Sequence, residues 1–181
     1  MSAMIQHGLK IEDYTPSDKK FLRKRFPHLE IRQCENGLGV FSTILIPEGT
    51  YIGRVEGPYI LDTTYGSPYC MTVSPFGVME PDPPLRYVNH SCDPNCAIIS
   101  VPAKDAFGRD ALSEVWFQAV KDIPLGFQLS IDYAWEDEAV IVPCRCGSAK
   151  CRGFVASERA ANKLKGKKET SRNARTIKNT R

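Results

Sequence analysis

The chain has 181 residues, 42% of them hydrophobic and 25% charged, which is enough for one soluble domain with a real core and too little for two full ones. No apolar run approaches the roughly 20 residues of a membrane helix, and Met1 to Lys10 lacks the basic-then-apolar order of a secretory signal, so composition excludes a membrane span and predicts an intracellular protein. The net charge of +3 conceals an asymmetry: residues 163–181 carry eight Lys or Arg against Glu169 alone, whereas residues 1–162 carry 16 basic and 20 acidic side chains. An acidic body attracts a basic peptide, and the tail has the charge for a weak nucleic-acid contact. Lacking aromatic residues for stacking and nearly all apolar ones, the segment 156–181 is otherwise expected to be a basic, disordered tail.

In chain order, Thr15-Pro16-Ser17-Asp18 reads as a helix start, and Lys19 to Phe26 places Phe21, Leu22 and Phe26 on one side before Pro27 stops it. From Leu29 the texture changes to short β-branched and aromatic segments separated by Gly or Pro. Strands are predicted over Leu29 to Cys34, Val40 to Ser42, Thr50 to Tyr59, Tyr69 to Val73, Ala97 to Val101, Ser113 to Val120 and Gln128 to Asp132. Pro81-Asp82-Pro83-Pro84 cannot lie in a central strand and reads as a surface connection; Pro102 to Asp110 reads as a hairpin loop. Ala156 to Lys165 has helix-forming composition. No fixed period appears, which argues against a solenoid or propeller.

Chemistry concentrates in Arg86-Tyr87-Val88-Asn89-His90-Ser91-Cys92-Asp93-Pro94-Asn95-Cys96, which packs more polar groups than a helix or strand period can hide. Seven cysteines, an odd count without an export signal, point to reduced thiols rather than a disulfide framework. Cys144-x-Cys146-x4-Cys151 is one ligand short of a tetrahedral zinc, and Cys92 or Cys96 can supply the fourth thiol. Cys34 and Cys70 are isolated and read as packing. Gly37-Leu38-Gly39 after Asn36 is, taken alone, a turn between strands. An extended Gln128 to Tyr133 sends Leu129, Ile131 and Tyr133 to one face, where Tyr133 by itself reads as a core tyrosine.

Taken in order, Gly37-Leu38-Gly39, Gly57, Arg86 to Cys92, Gln128 to Tyr133 and Cys144 to Cys151 resemble a SET domain followed by a post-SET zinc segment, the lysine methyltransferase family, over about Ile31 to Phe154. The resemblance implies a mainly β fold of short curved sheets with a knot-like C-terminal crossover and short flanking helices. It divides the chain into an N-terminal helical flank (1–28), a SET domain (29–138), a post-SET zinc segment (139–155) and the tail (156–181). It implies S-adenosylmethionine as cofactor, cradled by Gly37, Leu38 and Gly39, with Asn89 at its amino-acid end, His90 against the adenine through backbone contacts, and Tyr133 as the catalytic residue beside it. Tyr69, Tyr87, Ile131 and Trp135 become candidate walls of the lysine channel, with aromatic core as the competing reading for the three rings. The family uses the cysteine directly after Asn-His-Ser, so the implied zinc ligands are Cys92, Cys144, Cys146 and Cys151, and Cys96 becomes a buried thiol.

The implied activity is methyl transfer from S-adenosylmethionine to a lysine of a protein substrate, histone-like or otherwise basic, in the nucleus of a eukaryote or the cytoplasm otherwise. Three departures stand against the family pattern: Arg54-Val55 replaces a Glu-Tyr pair, Gln128 replaces a glutamate, and no cysteine-rich segment precedes Ile31. The first keeps open a zinc-containing binding module that retains the fold without the activity. A nucleic-acid-binding zinc protein rests only on the basic tail and the cysteines.

Overall fold

The computed structural model describes residues 16–167 except 36, 63, 68, 75, 76, 105, 109, 138 and 139. The tail beyond 167 therefore lies outside the described residues, as does Asn36 of the predicted turn. Helix α1 spans Pro16–Arg25, with Arg23, Lys24 and Arg25 in its last turn, where positive charge complements the exposed carbonyls. Its end is packed: Phe26 is buried, and the N–H of Leu29 donates to the Phe26 carbonyl at 3.0 Å.

Among the described residues ten short strands follow: β1 (Leu29–Cys34), β2 (Gly37–Ser42), β3 (Tyr51–Arg54), β4 (Tyr59–Ile60), β5 (Met71–Ser74), β6 (Gly77–Met79), β7 (Asn89–His90), β8 (Cys96–Lys104), β9 (Asp110–Ala119) and β10 (Ser130–Ile131). They make four small sheets in the orders β1-β2, β10-β7, β3-β9-β8 and β4-β6-β5. Chain reversal at β1-β2 depends on Gly37, whose φ of +96° lies where a Cβ is strained. A single turn of 3-10 helix, Leu85–Tyr87, leads into β7. A second α-helix, α2, occupies 158–167.

Mainly β with few short helices is therefore the architecture, as the sequence implied. Several boundaries differ. The predicted Thr50 to Tyr59 strand is two, because the chain turns at Gly57, and β6 and β7 were too short to carry a period. Pro102 lies inside β8 rather than in the hairpin loop; it is tolerated where the β8-β9 register shifts between Val101 and Ala103. The first part of the expected tail is folded, since Ala160 and Ala161 of α2 are buried with Ala156 against Ile141 and Phe154. Small side chains let that helix approach closely, which composition alone does not reveal.

The backbone groups into two compact units, one running to Asn89 and including Asn95–Ser130, the other made of His90–Pro94 and Ile131 onward. The first has a core of Val40, Ile46, Ile52, Val55, Leu85, Val88, Val115, Phe117, Ile123 and Leu129. Val55, one of the departures, is thus a core residue, its N–H donating to the Val115 carbonyl at 2.7 Å. Its neighbour Arg54 faces solvent and pairs with Glu56 at 3.0 Å and Glu114 at 2.8 Å.

Candidate active site

In the first unit the glycine run is closely packed by side chains. A Cβ built on Gly39 would overlap the Gln128 amide nitrogen and lie 3.1 Å from Cys34 Sγ and 3.2 Å from Asn89 Nδ2, so a side chain there would displace that amide. Asn89 donates through Nδ2 to the Leu38 carbonyl at 3.0 Å and to Cys34 Sγ at 3.6 Å. Gln128 Nε2 donates to the same sulfur at 3.7 Å, while the Gln128 backbone carbonyl accepts from Asn95 Nδ2 at 2.9 Å. Asn95 Oδ1 in turn accepts from the N–H of Ser130 at 2.8 Å. Leu38, Gly39 and Asn89 therefore lie together, joined by Cys34 and Gln128. Cys34, read from sequence as packing, is a half-buried hydrogen-bond acceptor; nothing in a lone cysteine signals that.

Also in the first unit, Tyr69 and Tyr87 meet edge to face at 5.9 Å, with the Arg86 guanidinium 4.3 Å over the Tyr69 ring. Arg86 is held by Glu80 at 2.8 Å, and Glu80 also accepts from Ser67 Oγ at 2.5 Å. Tyr87 is buried, in keeping with a core ring, whereas Tyr69 is half-buried.

In the second unit, His90 stands between Tyr133 and Cys92. The Tyr133 N–H donates to His90 Nδ1 at 3.2 Å, so the ring proton belongs on Nε2, which faces Cys92 Sγ at 3.4 Å. Burial lowers the His90 pKa against the opposing pull of Asp132, whose Oδ1 is 3.5 Å away. The His90 and Tyr133 rings are 5.5 Å apart, and Tyr133 and Trp135 are 5.4 Å apart. Strand β10 ends at Ile131, and Ala134 has a positive φ of 48°, so the two-residue alternation predicted through Tyr133 stops before reaching it. Ile131 is buried.

Asp132 is clamped by Arg152, which donates to its two oxygens at 2.7 and 2.6 Å. Burial would raise the Asp132 pKa, but the Arg152 hydrogen bonds overcome it and hold the carboxylate below its ordinary value. Arg152 was missed in the sequence, where a charge after Cys151 looks like any surface arginine.

The sulfurs of Cys92, Cys144, Cys146 and Cys151 all lie within 4.8 Å of one another, and those of Cys92 and Cys144 are 3.7 Å apart. A tetrahedral zinc with Zn–S bonds of ~2.3 Å requires S···S separations of about 3.8 Å, so this donor set fits the ion. Backbone N–H groups already point at the sulfurs: Arg152 donates to Cys92 at 3.4 Å and Cys92 to Cys146 at 3.5 Å. Burial raises the Cys146 thiol, but the Cys92 and Ser148 N–H groups and the neighbouring thiols bring it down to about 6, while burial drives Cys144 up. Cys96 lies apart from the four, in the first unit, buried and with its thiol pushed up to about 12 by that burial.

Comparison with known proteins gives the arrangement a lineage. Histone-lysine N-methyltransferase, H3 lysine-9 specific dim-5, of Neurospora crassa is 37% identical over 84 residues, covering 40% of this chain and 25% of that protein. Human histone-lysine N-methyltransferase EHMT1 is 32% identical over 147 residues, 70% of this chain and 11% of its own length. The crystal structure of KRYPTONITE in complex with mCHG DNA and SAH superposes with a TM-score of 0.62 at 23% identity, covering 70% of this chain and 28% of that one. The chain thus spans about a quarter or less of the two curated relatives. The SET domain family model matches residues 37–134, just over half of the sequence and the whole stretch from the glycine run to the Tyr133 turn, so the chain belongs to the SET domain family.

Proposed function

We propose that the protein is a protein-lysine N-methyltransferase that uses S-adenosylmethionine and acts on a lysine of a basic, histone-like protein. The observation that carries this reading is the retention, within the matched run, of Asn89-His90 and of Tyr133 with its N–H bonded to His90 Nδ1. Support comes from relatives described as histone-lysine N-methyltransferases and from a structural neighbour solved with mCHH DNA, H3(1-15) peptide and SAH. The same relatives favour a nuclear location. Among the described residues no helix is long and apolar enough to cross a membrane.

When bound, S-adenosylmethionine supplies a methyl group on a sulfonium for in-line displacement by an amine. Gly39 lets the backbone approach its methionine part, and the Asn89 amide offers Oδ1 to the amino-acid end. Tyr133 orients the lysine amine through its phenol oxygen, the amine losing its proton because an apolar channel and the sulfonium of the bound cofactor would both disfavour its charge. Trp135, packed on the Tyr133 ring, serves as a ring wall of that channel, and Ile131 as an aliphatic neighbour of the amine. Cys92, Cys144, Cys146 and Cys151 hold a structural zinc, which closes the post-SET segment without entering the chemistry. Of the Arg54-Val55 departure, Arg54 is a solvent-facing ion-pair residue and Val55 a core residue.

A radiolabelled methyl-transfer assay on core histones and on whole-cell lysate tests the proposal. Label on a lysine with wild type, and turnover reduced about 100-fold or more with cofactor affinity unchanged in Tyr133→Phe, is the expected result. No transfer by a zinc-loaded wild type that still binds cofactor would support the binding module instead.

A further inference from the structure

The side chains packed on Gly39 include two, Cys34 and Gln128, that neither the glycine run nor Asn89 alone accounts for. Cys34 Sγ receives two side-chain amides, Asn89 Nδ2 at 3.6 Å and Gln128 Nε2 at 3.7 Å, and all three groups line the space a Cβ on Gly39 would fill. A primary amide has two N–H donors and one oxygen. With both Asn89 donors committed, to the Leu38 carbonyl and to Cys34, only one orientation of the amide remains, and Oδ1 is the atom left to accept from a ligand. The Gln128 main chain is fixed, because its backbone carbonyl accepts from Asn95 Nδ2 and its strand bridges to Phe41. Its side-chain amide therefore reaches the sulfur from an anchored backbone.

We propose that Gln128 and Cys34 are positioning residues for cofactor binding: Gln128 fixes the Cys34 thiol, and the thiol holds the Asn89 amide with its oxygen presented to the cationic α-amino group of S-adenosylmethionine. This rests on the methyltransferase reading above. Flipping an unanchored amide would turn Nδ2 toward an ammonium, replacing an accepting atom by a repelling one, so the two residues set affinity without touching the reacting methyl. The neutral glutamine also matters. A carboxylate there has no N–H for the sulfur and would leave Cys34 with a single donor.

Titration calorimetry with S-adenosylmethionine on the full zinc-loaded chain decides the matter. Gln128→Met, close in volume but without donors, should raise Kd about tenfold, the loss of one well-placed hydrogen bond. Cys34→Ala should do the same, and the double variant should be no weaker than either single, because both act through Asn89. Cys34→Ser, whose hydroxyl accepts from both amides, should stay within about twofold of wild type; melting temperatures of all variants should remain close together. In kinetics the cofactor KM should rise while kcat holds. In wild type, bound cofactor should slow alkylation of Cys34, read by peptide mass spectrometry, which keeps the test decisive even if a variant fails to fold. Wild-type affinity in Gln128→Met, or alkylation indifferent to cofactor, would overturn the proposal while leaving the activity intact. Absence of cofactor binding by wild type would instead overturn the methyltransferase reading, and the proposal with it.

Discussion

The N–H of Tyr133 donates to Nδ1 of His90 at 3.2 Å, which settles the imidazole as the tautomer that carries its proton on Nε2 and aims it at Cys92. One ring thus touches both the tyrosine assigned to catalysis and a thiol of the metal cluster. His90→Phe keeps a ring of similar size but leaves the Tyr133 N–H without its acceptor. Chemical denaturation should show a loss of about 1–3 kcal/mol, the cost of an unsatisfied buried donor. Turnover should fall as well, because the turn that carries Tyr133 loses its anchor.

Metal removal has a sharper outcome. The purified protein should carry about one zinc per chain, measured by elemental analysis, and Cys144→Ser should release it. Structural zinc contributes on the order of 10 kcal/mol in small sites, so the variant should lose cooperative melting of the second unit. Cys96→Ser should retain full zinc, since that sulfur lies apart from the four.

The Asp132–Arg152 clamp predicts a pH signature. Asp132 has a folded pKa below its unfolded value of ~3.9, so its contribution is present above that pH and disappears as pH falls through the lower, folded value. Its side chain is 30% exposed and that of Arg152 17%, so the screened contribution is about 1 kcal/mol. Urea denaturation of Asp132→Asn should therefore show a gap from wild type that is constant from pH 7 to 5 and narrows only below about 3.9. A gap that closes between pH 7 and 5 would assign the effect to His90 instead.

Ile131 predicts the product. In the SET family a tyrosine two residues before the catalytic one holds a water in the space a second methyl needs; an aliphatic side chain offers no hydroxyl to hold it. Mass spectrometry under excess cofactor should show di- or trimethyl-lysine accumulating, with Ile131→Tyr shifted toward monomethyl. Ile131 is only 6% exposed, so the larger ring should also cost about 1–3 kcal/mol, and the comparison belongs well below the melting temperature.

What the sequence showed best was chemistry carried by residue type. Three thiols at metal spacing were legible from the sequence, with Cys92 or Cys96 as the fourth, whereas the glycine run read alone as a turn and gained its cofactor role only from the family resemblance. Strand boundaries were less so, because β4, β7 and β10 are two residues long and no alternation exists to read. The supporting residues were least visible. Arg152, Cys34 and Gln128 owe their roles to partners 20, 55 and 94 positions away along the chain, and nothing about the residues themselves announces such pairings.

The second unit takes His90–Pro94 from the middle of the chain and everything else from Ile131 onward. A fragment beginning at Ile131 would therefore carry three of the four thiols and neither His90 nor Cys92. During synthesis the same division becomes a delay: Cys92 is polymerised 59 residues before Cys151, about 3–12 s at ordinary ribosomal speeds. Through most of that interval the nascent chain holds an incomplete chelate, with one of the four thiols made and three still to come.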